Sequence, residues 1–385
     1  MACGLDKPGL IPWSPARPDN AAEVTIVKWL NILLVFLPVA VFLEVTGGNP
    51  TLIFISACLA ILPLAGIMGS ATEQLAVRAG STVGGLLNAT FGNATELIIA
   101  FFALQAGKLE VVKASIIGSI LGNLLLVMGL AVFLGGLKYK EQKFNLKSAS
   151  TIASLLTISL IALSIPTIFD YAARAVAPER VAQLDVNLSD ATAVVLIIMY
   201  IAYIFFTLRT HKDILSTSDD EGARDEHDGP LWSVPLAVGV LAGATIGVAF
   251  MSEFLVGTLE AATATLGLTE FFVGLILIPI IGNAAEHAAA VMFALKNKMD
   301  LSMTISLGST VQVALLVAPL LVLAGLIVGK PMNLVVTPLE LISIGAAVLI
   351  GNSVVRDGET NWLEGILLLG VYVILAFAVF FYPVA

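Results

Sequence analysis

The sequence predicts an all-α polytopic membrane protein of about eleven transmembrane helices, one N-terminal helix followed by two inverted five-helix repeats. Three observations carry that prediction. Of 385 residues, 58% are hydrophobic and only 12% charged, with a mean hydropathy of +0.99; soluble domains carry about 25% charged residues. Apolar runs long enough to cross a bilayer, about 20 residues each, follow one another with little between them. One five-residue motif also occurs twice, at Gly92–Glu96 and at Gly282–Glu286.

Residues 1–25 read as a cytoplasmic tail with Lys7, Arg17 and several prolines. The run 26–46 is as long as a full span, so it is expected to stay as an extra N-terminal helix and not to be cleaved as a signal peptide. Further runs fall near 51–77, 81–105, 109–136, 146–169, 189–208, 231–252, 269–294, 300–328, 335–354 and 361–382. The stretch 254–266 is joined to 231–252 as one long tilted helix, because Glu253 and Glu260 alone interrupt it. Fourteen of the 19 Lys and Arg residues fall on the side that holds the N-terminus, which is therefore expected in the cytoplasm. The segment 210–230 is an acidic linker with seven carboxylates between Asp213 and Asp228, the source of most of the net charge of −9. It reads as a solvated connection or as a cation-attracting loop. There is no basic cluster, so nucleic acid is not an expected partner. Cys3 and Cys58 suggest no disulfide framework.

An offset of 190 residues carries Gly92-Asn93-Ala94 and Glu96 onto Gly282-Asn283-Ala284 and Glu286, and Gly118-Ser119 onto Gly308-Ser309, without a gap. Between 92–136 and 282–326, 14 of 45 positions are identical, against about four or five for unrelated apolar segments. Upstream, Glu73 precedes Gly80 by seven residues as Glu260 precedes Gly267. The chain is read as a duplication, with one copy over 47–209 and the other over 231–385. Five helices per copy is an odd number, so the second copy enters the membrane from the opposite face. Secondary transporters are often built this way, with the substrate at the midplane between the copies.

Each repeat has one carboxylate in the middle of an apolar span, Glu96 in the first and Glu286 in the second. A charge at bilayer depth costs at least about 2.5–3.5 kcal/mol, so such residues are rare and usually functional. No Lys or Arg stands near either, which leaves a cation or a proton to neutralise them. Asn93 and Glu96 share a helix face, as do Asn283 and Glu286. Gly92 and Gly282 weaken the helix just before them and can free backbone carbonyls. The next helix offers Ser119 and Asn123, and its repeat partner Ser309 and Gln312. Carboxylate, amide, hydroxyl and carbonyl oxygens form the donor set that calcium takes. With no thiolate and one imidazole nearby, zinc, copper and iron fit poorly. His287 is the one histidine in a span and can couple protonation to release. Glu73 and Glu260 lie nearer the membrane faces, as a relay to the site or as snorkelling carboxylates. The small-residue rows around Ser115-Gly118-Ser119-Gly122 and Ser306-Gly308-Ser309 suit close helix packing.

These motifs, GNATE at 92–96 and GNAAEH at 282–287, each followed by a Gly-Ser helix (GSILGN at 118–123, GSTVQV at 308–313), resemble the two alpha-repeats of the cation/proton exchangers. That family is the calcium/proton antiporter branch of the calcium:cation antiporter superfamily. The resemblance runs from about residue 50 to the end. It implies an eleven-helix fold, an acidic segment between helices six and seven, and exchange of cytosolic Ca²⁺ for H⁺ by alternating access, with no cofactor. It implies further that Glu96 and Glu286 bind the cation and carry the protons, that Asn93, Asn283, Ser119, Ser309 and Gln312 line the site, and that His287 marks the proton-coupled branch. With the short tail given, an autoinhibitory extension of the plant type is not expected. A bacterial inner membrane suits the chain, as does a vacuolar or plastid membrane.

A sodium-coupled or Mn²⁺ exchanger of the same fold satisfies the same donor set. A cation channel is a different class; channel filters are commonly ringed by charge from several subunits, and two glutamates in an inverted repeat suit alternating access better. An intramembrane metalloenzyme needs a set such as two histidines four apart with a glutamate between, whereas Glu286-His287 stands without a second ligand. The chain is therefore not expected to be an enzyme.

Overall fold

The computed structural model describes residues 31–211 and 232–383, so the tail 1–25, the first residues of the N-terminal helix and the acidic linker lie outside the described residues. After a 3₁₀ turn, α1 runs Phe36–Val45, followed by α2 (Pro50–Phe91), α3 (Ala94–Gln105) and α4 (Leu109–Tyr139). A short strand β1 (Glu141–Lys143) leads to α5 (Leu146–Val176) and α6 (Val181–Thr210). Beyond the linker come α7 (Val234–Gly257), α8 (Leu259–Leu266), α9 (Glu270–Gly282), α10 (Ala284–Leu295), α11 (Met299–Ile327) and α12 (Pro338–Val355). Strand β2 (Glu359–Asn361) precedes α13 (Trp362–Phe380).

The helix starts are written locally. Asn49 accepts from Thr51 N at 2.8 Å ahead of Pro50, and Asn145 caps α5 by accepting from Ser148 N. Thr337 with Glu340, and Asn361 with Glu364, form reciprocal capping boxes, which satisfy backbone donors that the first helical turn leaves open.

Among the described residues, eight helices are long and apolar enough to cross a membrane, nine if α8 and α9 count as one broken span. The sequence predicted eleven; of the remaining spans, the run 26–46 begins outside the described residues and two others are interrupted. The expected spans 81–105 and 269–294 are each broken in two. α2 kinks at Gly80 (φ 81°), continues to Phe91, and gives way to α3 at Asn93; α9 gives way to α10 at Asn283. A half-helix of 12 residues such as α3 or α10 reaches only about 18 Å, against about 30 Å of hydrocarbon. The stretch 231–266 is also not the single tilted helix expected from its composition. It breaks at Thr258 (φ −104°, ψ 2°), and α8 then meets α9 at 108°.

The helices differ in how deeply they are buried. In α4, 83% of the most apolar 18 residues are buried inside the protein, whereas in α6 only 17% are. α4 and α11 form the centre; α6, α7 and α13 present apolar surface outward. At one end of the bundle β1 and β2 pair antiparallel, with Gln142 opposite Thr360. We call this the ribbon end. At the other, the strap end, the α3–α4 loop, the α8–α9 elbow and the extended strap 328–337 come together. There the Lys108 ammonium bonds Glu260 and, at 2.9 Å, Glu270. The α4–α9 crossing is so close that a Cβ on Gly118 would strike the Leu275 carbonyl oxygen and Pro279.

Candidate cation site

The two broken spans bring their breaks face to face at the centre. Asn93 and Asn283 hold bridge-region backbone (φ −97°, ψ 14° and φ −102°, ψ 8°) as the residues before α3 and α10. Glu96 and Glu286 therefore sit in the first turn of a half-helix, where N–H groups without intrahelical partners favour negative charge. Each glutamate leans on the glycine of the other copy. A Cβ on Gly282 would lie 3.0 Å from Glu96 Cγ, and one on Gly92 would lie 3.0 Å from Glu286 Oε1. The glycines in the motif keep this crossing open.

Around Glu96 the cluster is buried throughout: Glu96 is 6% exposed, Ser119 4% and Asn283 2%. Ser119 Oγ and Asn283 Nδ2 both donate to Glu96 Oε1, and Asn283 Nδ2 also reaches the Pro279 carbonyl at 3.1 Å. Glu286, half-buried, accepts from Ser309 Oγ at 2.6 Å. Ser309 also lies 3.1 Å from Asn93 Oδ1, and Asn93 Nδ2 donates to Gln312 Oε1 at 2.6 Å. The two halves thus differ in one respect. Asn283 gives its amide to a glutamate, whereas Asn93 gives its amide to Gln312. The position matching Gln312 in the first copy is Gly122, which has no side chain to draw Asn283 away.

Seven of the sequence-predicted residues therefore fall into two hydrogen-bonded clusters at the crossing, Glu96 with Ser119 and Asn283, and Glu286 with Ser309, Asn93 and Gln312, each mixing residues of both copies. His287 adjoins the second through Glu286; its Nε2 is buried without a hydrogen-bond partner, and its backbone N–H bonds Asn283 O at 2.9 Å. Glu73 and Glu260 stand apart. Glu73 is exposed near the ribbon end of α2, and Glu260 is spent on Lys108 at the strap end with 74% of its side chain exposed. Burial alone would lower the Lys108 pKa, but the Glu260 and Glu270 carboxylates outweigh it and hold the ammonium above its ordinary value.

The sequence reading missed the π turns. α4 widens at Gly122–Val127 and α11 at Val313–Val317, both immediately after the site residues, and α9 at Val273–Leu277 just before them. Such turns cluster at functional sites. The repeat offset could have paired the first two, but no residue type marks a π turn. Asn123 lies in the first of them, 1% exposed, with its Nδ2 unbonded.

Chemically this is a hard-oxygen pocket. Glu96 Oε2 and Asn283 Oδ1 are buried acceptors that receive no hydrogen bond. Among the described residues no three His, Cys, Asp or Glu side chains converge, which leaves the paired glutamates with amide and hydroxyl oxygens, a set suited to calcium and not to soft metals. A narrow cavity of about 10 Å³ between α3, α4, α9 and α11 touches Glu96 and Ser119 and extends along Ser115 toward the strap end. That is close to the room one water needs.

Comparison with known proteins decides the family. The profile described as sodium/calcium exchanger protein matches residues 49–209 and 236–381, both sides of the linker. The chain belongs to this family. Within it, the Ca²⁺/H⁺ antiporter of Synechocystis sp. is 50% identical over 371 residues, covering 92% of this chain and 98% of that protein. The Ca²⁺/H⁺ antiporter ChaA of Bacillus subtilis is 43% identical over 344 residues, covering 89% and 96%. The solved structure of native YfkE superposes with a TM-score of 0.79 at 40% identity, covering 92% of this chain and 99% of that one. Family membership thus extends across the two motifs and the helices around them.

Proposed function

We infer that the protein is a secondary antiporter that carries Ca²⁺ out of the cytosol in exchange for H⁺, through the Glu96–Glu286 site. The observation that carries the reading is the buried assembly in which each repeat supplies one glutamate, one asparagine and one serine, with two acceptor oxygens left unbonded. The near-full-length likeness to Ca²⁺/H⁺ antiporters supports it. The finer layout is eleven helices: a tail 1–25, an extra helix 26–46, a first five-helix repeat 47–209, the linker 210–230 and an inverted second repeat 231–385. It is supported by the matching breaks at Asn93 and Asn283 and the matching π turns in α4 and α11. The ribbon end, rich in lysine, faces the cytoplasm, and the membrane is the bacterial cell membrane.

The mechanism is competition for one site. With both glutamates ionised, their oxygens and those of Asn93, Asn283, Ser119, Ser309 and Gln312 surround Ca²⁺. At the acidic face, protons take its place and the dication leaves. A buried carboxylate without a counter-charge is costly, so the site passes between the two ends only when neutralised, by calcium or by protons. His287 sits beside Glu286 as a proton acceptor for the exchange. Glu260, bound to Lys108 at the strap end, and exposed Glu73 near the ribbon end would relay ions to the site from the two faces.

The test is uptake of radiolabelled Ca²⁺ into everted vesicles with an acid interior, with and without sodium. Uptake that collapses with the pH gradient, ignores sodium and vanishes in Glu286→Gln is expected. Uptake driven by sodium would overturn the coupling ion, and full activity in both Glu96→Gln and Glu286→Gln would overturn the site.

A further inference from the structure

The loop between α3 and α4 recurs bond for bond between α10 and α11. Lys108 N donates to Ala103 O at 2.9 Å, and Lys298 N to Phe293 O at 2.9 Å. Gly107 N donates to Leu104 O at 2.9 Å, and Asn297 N to Ala294 O at 3.0 Å. Gly107 and Asn297 share positive φ, 77° and 60°. Lys108 and Lys298 directly precede α4 and α11 with similar backbone (φ −82°, ψ 58° and φ −107°, ψ 60°). Each of these pairs is separated by the repeat offset of 190 residues. The first loop lies at the strap end and the second at the ribbon end, where Gln142 Nε2 donates to Asn297 Oδ1 at 3.0 Å. Each end of the bundle therefore has one lysine in the same local setting.

Carboxylates are repeated beside them. Lys108 bonds Glu260 on α8 and, at 2.9 Å, Glu270 at the start of α9. It thus pins the joint at Gly267 (φ 67°), where the chain turns into the second broken span. The first copy has its joint at Gly80 (φ 81°), where α2 kinks at the ribbon end, and Glu73 precedes Gly80 by seven residues as Glu260 precedes Gly267. α10, which leads into the Lys298 loop, packs on α2, just as α3, which leads into the Lys108 loop, packs on α7. Glu73 is exposed, whereas its counterpart Glu260 is held by Lys108.

We propose that these groups form two alternating latches: Lys108 on Glu260 and Glu270 holds the strap end shut in this structure, and Lys298 on Glu73 holds the ribbon end shut in the opposite state. In an inverted repeat, one copy rocks against the other around a fixed site. Exchanging the conformations of the copies opens one end and shuts the other, so a bond made by one copy prescribes its counterpart. The latches are unequal. The residue 190 positions before Glu270 is Gly80, so the strap-end lysine has two carboxylates and the ribbon-end lysine one. The side chains of Lys108 and Glu270 are 21% and 34% exposed, which shields their attraction from screening by salt. The empty protein is therefore biased toward the strap-shut state.

The geometry of the latches can be tested without transport; their effect on flux rests on the antiport reading. Glu73→Cys and Lys298→Cys are combined in the full-length protein lacking Cys3 and Cys58, in lipid vesicles, and treated with a short bifunctional thiol reagent. A cross-link is expected, with its yield raised about two- to fivefold by adding Lys108→Gln, the range set by one or two partly exposed ion pairs. Adding Lys330→Gln, at an exposed strap-end lysine outside the latch, is expected to leave the yield unchanged. No cross-link although a monofunctional reagent labels both cysteines, or a yield that ignores Lys108→Gln or rises equally with Lys330→Gln, would overturn the proposal. The second test is Ca²⁺ uptake driven by an acid-inside pH gradient. Lys298→Glu is expected to slow uptake, and the exchanged pair Glu73→Lys/Lys298→Glu to restore it, whereas Glu260→Lys/Lys298→Glu is not. An exchanged pair as slow as Lys298→Glu, with wild type active, would overturn the ribbon-end latch. Absence of uptake in wild type would instead overturn the antiport reading, with the cross-link still deciding the latch.

Discussion

Gln312 separates the two halves of the site. It holds the Asn93 amide at 2.6 Å, while the equivalent Asn283 amide is bonded to Glu96. Shortening it in Gln312→Ala removes one of the oxygens proposed around the cation and frees Asn93 Nδ2 to turn toward Glu286 and compete with the cation there. A net hydrogen bond is worth about 0.5–1.5 kcal/mol, so Ca²⁺ affinity measured by calorimetry on the purified protein should fall by roughly two- to tenfold, with the fold intact. Unchanged affinity would mean that the Asn93 amide does not sense Gln312. The glutamates, asparagines and serines of the site were legible because a duplicated motif singles them out of an apolar background. Which amide bonds which carboxylate was not, because it depends on Gly122 standing where the second copy has Gln312.

At the scale of the element, the same motif position has opposite packing in the two copies. Gly118 of α4 leaves no space for a Cβ against the backbone of α9, whereas a Cβ on Gly308 of α11 would meet nothing within 4 Å. Gly118→Ala must push α4 from α9, an overpacking penalty of about 1–3 kcal/mol. Gly308→Ala carries no such penalty and gains about 0.5–1 kcal/mol of helix propensity. Thermal unfolding in detergent should therefore show a lowered midpoint for the first and an equal or raised one for the second. Equal losses in both would mean that the crossing at Gly118 is not the constraint. Composition predicted where helices lie but not where they stop. The breaks at Asn93, Asn283 and Thr258 sit within continuous apolar runs, and the halves they produce are stable because each end is packed against the other copy, information that a hydropathy window does not contain.

For the whole molecule the remaining question is which end meets the cytoplasm, and the charge distribution makes a definite prediction. Lys138, Lys140, Lys143, Lys147, Lys296, Lys298 and Arg356 all belong to connections around the ribbon end, whereas the strap end has Lys108, Lys113, Arg174, Arg180 and Lys330. Short loops rich in Lys and Arg stay in the cytoplasm. The pairing of β1 with β2 adds a constraint: residues 141–143 and 359–361 come from opposite halves of the chain yet must share one side. Single cysteines placed at exposed Lys143 and Lys330 and at half-buried Glu359, in a background lacking Cys3 and Cys58, can be labelled with a membrane-impermeant thiol reagent. In intact cells Lys330→Cys should react, whereas Lys143→Cys and Glu359→Cys should react only after the membrane is opened. The reverse pattern would invert the protein and with it the direction of calcium movement. Labelling of Lys143→Cys and Glu359→Cys from different sides would break the ribbon itself, and with it the proposed inverted layout that brings two breaks, two glutamates and two serine-bearing helices to the centre.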